Sequence, residues 1–167
     1  MAVVVPDEVD TLTPMPAFNF HVGASLAGVN KGKPICLGSF AEVSGLEATM
    51  EPKVIKVGGH NYGAIQRAGP VSFATVVLKR GVSETRDLWA WWALFSGGDG
   101  GVKIGSLAAN RTNVTVSMIR GRTAVLTWKL ENAMPVKFKA GDLNARGTEL
   151  AIEELHLVHE GLALEAA

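Results

Sequence analysis

Residues Ser83–Gly98 read SETRDLWAWWALFSGG, which sets three tryptophans within four positions of a chain whose aromatic content is only 7%. Leu88, Trp91, Trp92 and Phe95 fall at i, i+3, i+4 and i+7, the spacing of one face of an amphipathic helix. Ser83 is suited to cap such a helix, and Glu84 and Asp87 would place negative charge in its first turn. Gly97-Gly98 supplies a stop. The pattern therefore predicts a helix over about 84–95. A helix that binds a membrane surface carries a lysine-rich polar face, and here Arg86 stands alone. Burying the four large side chains is worth on the order of 10 kcal/mol before entropy, at about 1.5–3 kcal/mol each. This is the expectation for a lid packed on a β-sheet, with Leu88, Trp91, Trp92 and Phe95 as core packing residues. Trp89 lies off that stripe, free to face a partner.

The rest of the composition sets the frame around that helix. A length of 167 residues suits one domain with a sizeable core. Apolar residues at 47% and charged ones at 19% describe a globular body rather than a disordered one. Sixteen basic residues balance sixteen acidic ones, whereas nucleic-acid binding is driven by excess positive charge. Nineteen glycines suit the tight turns of a β-rich fold. The lone Cys36 excludes an internal disulfide and a four-cysteine zinc site. The opening MAVVVPDEVDTLTPMPAF has neither a basic n-region nor a long apolar core, so no secretory leader and synthesis in the cytoplasm are expected. Without secretion, the sequons at Asn110 and Asn113 are strand chemistry rather than glycan sites.

Along the chain, Pro6, Pro14 and Pro16 mark residues 1–17 as an extended N-terminal arm ahead of a single domain over 18–167. Phe18, Phe20, Val22 and Ala24 alternate with Asn19, His21 and Gly23, as on a strand. Gly28–Pro34 (GVNKGKP) is a hairpin turn returning through ICLGSFAEV. Ser44–Gly63 is long, with a strand-like centre over Pro52–Val57, and reads as a protruding hairpin or a long functional loop. Gly69–Gly81 reads as one strand with apolar residues on both faces, so that both are covered. Beyond the glycine-rich turn at Gly97–Gly101, Asn113–Gly141 predicts a strand, a turn at Gly121, a second strand and a third. The tail fits either a helix (Ala151, Leu155, Val158, Leu162) or a strand with a face switch or bulge at Glu153-Glu154.

Catalytic and ligand-binding chemistry is sparse. GVNKGKP lacks the spacing of a phosphate loop and leads into no helix, and Gly58–Gly63 (GGHNYG) is not a dinucleotide fingerprint. His156 and His159, with Glu153 and Glu160 nearby, would converge on a metal only in a helical tail, since strand positions three apart face opposite sides. No G-x-S-x-G elbow occurs, and Cys36 has no nucleophile context. Glu42, Glu47 and Glu51 have nothing to make two of them converge. Arg120-Gly-Arg-Thr reads as a solvated hairpin tip. No catalytic residue, cofactor site or metal site is expected, and the chain is not read as an enzyme.

Taken together and in order, SFAEVSGLEATME (Ser39–Glu51), VGG (Val57–Gly59), VLKRG (Val77–Gly81), LWAWW (Leu88–Trp92), LENAMPVK (Leu130–Lys137) and ELAIEELHLVHEGL (Glu149–Leu162) resemble the tail tube proteins. These are the inner tube subunits of contractile phage tails and of phage-like contractile injection systems. The resemblance spans about residues 18–162. It implies a mainly β fold, an antiparallel β-barrel or sandwich with one packed helix, related to the type VI secretion tube proteins. It also implies hexameric rings stacked into a hollow tube, with strands of all subunits lining the lumen, and a tail that is a strand.

In the family, the segment after the Val-Ser-Gly-Leu run reaches a neighbouring subunit. Carried over, Ser44–Gly59 is that segment, and Val43, Ser44, Gly45, Leu46, Glu47, Met50, Val54, Gly58 and Gly59 are the assembly residues. The implied partners are further copies of the chain, an outer sheath, baseplate and cap proteins, and cargo in the lumen, either a protein effector or DNA, with no membrane insertion. The implied location is a phage tail-like particle. Two alternatives stand beside this reading. One is a type VI-like secreted tube or a tube-initiating baseplate protein. The other is a small-ligand-binding β-barrel with the tryptophans lining a cavity.

Overall fold

The computed structural model describes Ala17 and residues 19–24, 39–59, 62–97 and 111–166. The expected N-terminal arm (apart from Ala17), the hairpin turn at Gly28–Pro34 with the start of its return strand, and most of the Gly97–Gly101 turn lie outside the described residues. The described elements are β1 (Phe20–Ala24), β2 (Glu42–Ser44), β3 (Ala48–Met50), β4 (Lys53–Ile55), β5 (Ile65–Arg67), β6 (Val71–Phe73), β7 (Val76–Gly81), α1 (Asp87–Ser96), β8 (Thr112–Arg120), β9 (Thr123–Lys139), β10 (Ile152–Val158) and β11 (Gly161–Ala166).

The organising element is β9, which runs for 17 residues. The second and third strands expected after Gly121 are this one strand, bent rather than divided. Asn132 sits at the bend with φ 51°, a left-handed conformation that asparagine tolerates better than other side-chain-bearing residues. The tail is strand, not helix, and follows the same bend. β10 pairs Glu154–Val158 with Lys139–Met134, and β11 continues with Gly161–Ala166 against Glu131–Leu126. The expected irregularity at Glu153-Glu154 lies instead three residues further on. Register shifts between His156 (opposite Lys137) and Leu157 (opposite Pro135), so that Val136 of β9 is the unopposed residue. A bulge is where a strand accommodates a proline, which has no N–H for the ladder.

The bent pair of strands carries two half-sheets. One has the order β1-β8-β9-β11, the other β9-β10-β7-β2, all antiparallel. The antiparallel β class with one packed helix holds, while closure does not: among the described residues the sheet is open, with β1 and β2 at its ends. Alternation explains the core. Val22 and Ala24 of β1, Val114 and Val116 of β8, Leu130 of β9, Leu155 and Leu157 of β10 and Val76 and Leu78 of β7 are all buried, and form one cluster with Leu88 and Trp91 of α1.

The helix starts later than expected. Its first residue is Asp87, no side chain caps it, and Ser83 Oγ bonds Thr85 Oγ1 at 2.7 Å instead. The stop is where the glycine pair placed it, with Gly97 N donating to Ala93 O at 3.1 Å. Leu88 and Trp91 are fully buried, Ala93 nearly so, and Trp92 and Phe95 pack half-buried at the margin of the core. Trp89 is 44% exposed and meets Phe138 of β9 edge-on at 5.4 Å.

Arg80 ties the helix start to the sheet. It lies on the core side of β7, 3% exposed, where a strand pattern would place an apolar residue. Its Nε donates to Glu153 Oε1 at 2.6 Å, and Glu153 is its direct cross-strand partner on β10. Its Nη atoms donate to both carboxylate oxygens of Asp87, with Nη1 to Oδ2 at 3.0 Å. Burial works against the guanidinium charge, but the hydrogen bonds and charges of Asp87 and Glu153 more than offset it and raise its pKa further above the ordinary value.

A second charged cluster closes the bend. Glu160 accepts from Asn132 Nδ2 at 3.0 Å and pairs with Arg111, while Asn132 N donates to Asn113 Oδ1 at 3.2 Å. The Asn132 hydrogen bond and the Arg111 charge hold the Glu160 carboxyl below its ordinary 4.5. A depressed carboxylate stabilises the fold above its unfolded pKa, and that contribution is lost as pH falls through the lower folded value. Glu160→Gln is therefore expected to lower the urea midpoint at pH 7, by an amount that shrinks as the pH is taken progressively below 4.5, read from denaturation curves across that range.

Candidate functional site

Between β2 and β7 the chain leaves the sheet as an arm. β3 pairs with β6 (Ala48 opposite Phe73, Met50 opposite Val71) and β4 pairs with β5 (Lys53 opposite Arg67, Ile55 opposite Ile65). The two ladders follow one another along one hairpin. The stretch Gly69–Gly81, expected as a single strand with both faces covered, is interrupted at Ala74-Thr75. Its first part, β6, is the return strand of the arm, and only β7 enters the sheet.

Two glycines make the arm's geometry possible. Gly45 turns the chain out of β2 with φ 83°, and a Cβ there would meet Thr75 O at 2.1 Å. At Gly69 a Cβ would meet Glu51 O at 1.8 Å, so the two strands approach too closely for any other residue. Ala74 N donates to Glu47 O at 3.1 Å and anchors the root.

The arm is bare. Every described residue from Glu47 to Ala68 is exposed. Met50, Val54, Ile55, Val57, Ile65 and Val71 are among the exposed large apolar residues of the chain. A lone two-stranded hairpin is marginal in water, and this one leaves its apolar side chains without cover from its own chain.

The nine residues expected to join subunits divide accordingly. Val43 and Ser44 belong to β2 and pair with Leu78 and Val77. Val43 and Leu46 pack on the subunit's own core, and Gly45 and Glu47 form the root. Met50, Val54, Gly58 and Gly59 lie on the projecting part. Reading the sequence missed the return strand, where Ile65 and Val71 stand directly opposite Ile55 and Met50. The glycines at 63 and 69 that bracket its first part, β5, were its available signal.

Elsewhere the candidate chemistry does not assemble. Glu42 is held by Lys79 at 3.1 Å, its cross-strand partner, rather than by another carboxylate. His156 lies 3.4 Å from Glu154, while His159 faces Phe73 with ring centroids 5.1 Å apart and bonds Gly161 O at 2.9 Å. Among the described residues no group of three or more histidine, cysteine or acidic side chains is placed to hold a metal. A surface cavity of about 570 Å³ is lined by polar residues including Lys139, Asp142, Arg146 and Glu154, and no tryptophan borders it. Trp91 is fully packed, so a ligand cavity lined by indoles is not what the tryptophans form. No helix among the described residues is long and apolar enough to cross a membrane.

An open antiparallel sheet under one helix, with an arm that its own chain leaves uncovered, defines a structural β subunit. The chain belongs to the T4-like virus tail tube protein gp19 family, whose model matches residues 16–163. This is a family of structural tube proteins, not enzymes. The fold is similar to a chain of the anti-feeding prophage baseplate, with TM-score 0.71, 22% identity and coverage of 92% of this chain and 97% of that one. It is also similar to a chain of the sheath-tube complex of an extracellular contractile injection system, PVC, in the extended state, with TM-score 0.71, 20% identity and coverage of 94% and 95%. Hcp1 from Flavobacterium johnsoniae shares it more distantly, with TM-score 0.50, 11% identity and coverage of 87% and 95%. No match was found among curated proteins.

Proposed function

We propose that this chain is the inner tube subunit of a contractile injection system or phage tail, and that it acts as hexameric rings stacked into a hollow conduit for cargo. The observation that carries the reading is the arm, whose described residues from Glu47 to Ala68 are all exposed, in a chain of the tail tube family. Seated on a neighbouring copy, its apolar residues would gain the cover that the subunit itself does not provide. Residues 18–167 would act as one domain behind the N-terminal arm, and sheath, baseplate and cap proteins would be its partners. Two of the solved structures named above are of a baseplate and of a sheath-tube complex. Made in the cytoplasm, the subunit would end in a phage tail-like particle.

The same reading gives the half-sheet β1-β8-β9-β11 a purpose. Its core side packs with α1, while the other side presents small and polar residues: Gly23, Thr115, Ser117, Thr127 and Ala163, with His21, Lys129 and Glu165. Ser117 and Thr127 hydrogen-bond each other at 2.9 Å across it. A wall of short hydroxyl and methyl groups with mixed charge offers passing cargo few places to adhere.

Electron microscopy of concentrated protein, alone and with sheath and baseplate proteins, is expected to show rings or hollow rods. The substitution that separates assembly from folding must avoid Leu46, which packs on the core. Val54→Asp with Ile65→Asp, both on the exposed arm, is expected to leave far-UV circular dichroism and the melting temperature essentially unchanged. It should reduce assembly about tenfold or more in sedimentation, as removal of central apolar contacts does. A strictly monomeric wild type under all these conditions would sink the proposal.

A further inference from the structure

The ladder at the root of the arm has two unlike faces. Between β3 and β6, Ala48, Met50, Val71 and Phe73 share one face, and Thr49 and Ser72 the other. The polar face is satisfied within the arm: Ser72 Oγ donates to Thr49 O at 3.4 Å, and Thr49 Oγ1 donates to Glu47 Oε1 at 3.4 Å. The apolar face starts against the subunit's own bend, where Phe73 meets the His159 ring with centroids 5.1 Å apart. Beyond that contact it is bare. Met50 is 51% exposed, and Val71 directly opposite is 50% exposed. The other methionines among the described residues, Met118 of β8 and Met134 of β9, are half-buried in the sheet.

A thioether with half its surface in water is open to peroxides, and oxidation turns a flexible apolar side chain into a polar one. The Met50 sulfur attacks one peroxide oxygen, so that an S–O bond forms as the O–O bond breaks. The sulfur is oxidised to the sulfoxide, the transferred oxygen passes its proton to the departing hydroxide, and the peroxide is reduced to water. On the free arm, water satisfies the new oxygen. Under a seated neighbour it would be a buried acceptor, and the hydroxyls of Thr49 and Ser72 lie on the opposite face. We infer that Met50 is an oxidative modification site, at which a peroxide takes the free subunit out of assembly while a seated subunit is shielded by its neighbour.

The inference rests on the tube reading and adds a chemical control to its arm. The full chain with Cys36→Ser serves as the parent, which removes the thiol as a competing target. Hydrogen peroxide on the unassembled parent is expected to add oxygen to Met50 before Met118 and Met134, read by peptide mass spectrometry. It should lower the assembled fraction in sedimentation at least about tenfold, the effect of burying one unsatisfied polar group. The two methionine sulfoxide reductases, one for each epimer, should restore assembly. Met50→Leu keeps the apolar volume without the sulfur, and should assemble equally well before and after peroxide. Met50→Gln sets a polar group at the same place without any oxidant. It should assemble as poorly as the oxidised parent, with an unchanged far-UV circular dichroism spectrum.

The site is overturned if Met118 or Met134 is oxidised first, if the subunit oxidised at Met50 assembles as before, or if Met50→Gln assembles normally. It is equally overturned if peroxide abolishes assembly of Met50→Leu, which would place the damage at another residue, or if Met50 is oxidised as fast in preformed rods as in free subunits. Should the parent form neither rings nor rods before any peroxide is added, the tube reading falls and takes the site's role with it. The two failures are thus distinguishable.

Discussion

Trp91→Ala is expected to cost about 3–5 kcal/mol of unfolding free energy, the range for deleting a fully buried large side chain. Trp91 has no exposed surface and sits in the cluster where α1 meets both half-sheets. Removing its indole leaves a void bordered by strands whose hydrogen bonds prevent collapse. For a chain of this length the melting temperature should fall by roughly 10 °C or more. The midpoint in urea should drop with an unchanged slope, which marks a loss of stability rather than a change of unfolded state. Trp91→Phe should recover most of it, since Nε1 has no hydrogen-bond partner among the described residues to lose. Trp92→Ala should cost clearly less, because that ring is only half-buried. Equal costs at 91 and 92 would mean that the helix does not sit as described.

That asymmetry marks the limit of the helical pattern. Spacing alone groups Leu88, Trp91, Trp92 and Phe95 on one face, and all four do pack toward the core. It cannot say which part of the face points deepest, because that depends on how the helix lies on β9. The start of the helix was hidden for a similar reason. Ser83 has the right chemistry for a cap, but its hydroxyl is engaged with Thr85, and Asp87 is held by Arg80 from another strand. Long-range partners of this kind leave no trace in local spacing.

The strands were legible where alternation runs unbroken, as in β8 and in the first half of β9. Two breaks were not. β9 reads as two strands because Glu131-Asn132 interrupts its apolar rhythm, yet the chain only bends there, held by Arg111 and Glu160. In the tail, Glu153 reads as a change of face because an acid is not expected on the buried side. It is buried, and Arg80 opposite is the reason. As for the arm, its outgoing strand shows in the strand-like centre Pro52–Val57, but of the return only β6 was covered, inside the expected strand Gly69–Gly81, and β5 was not. Only the approach of Gly69 to Glu51 reveals where the hairpin closes.

Arg80→Met is expected to destabilise the subunit by about 3–5 kcal/mol, a loss comparable to that at Trp91 but of different origin. The arginine is 3% exposed and its two carboxylate partners are largely buried, with side-chain exposures of 19% for Asp87 and 10% for Glu153. Methionine fills much of the volume, so the cost comes from two acids left without a counter-charge rather than from a cavity. The triple variant Arg80→Met, Asp87→Asn, Glu153→Gln should therefore regain a large part of the loss, an outcome that a pure packing defect would not produce. Arg80→Lys should fall between, because one ammonium cannot present the planar fork that reaches both acids. Since the guanidinium's pKa is raised above its already high ordinary value, its contribution is present throughout the acidic and neutral range and lost only at strongly alkaline pH. Arg80 itself thus stays charged throughout the working pH range. Because Arg80 joins β7, β10 and the first residue of α1, its loss should also release the helix early, seen as Trp89 and Trp91 fluorescence changing before the β signal in circular dichroism during urea titration. Coincident transitions, with no rescue by the triple variant, would show that the clamp is dispensable and that packing alone seats the lid.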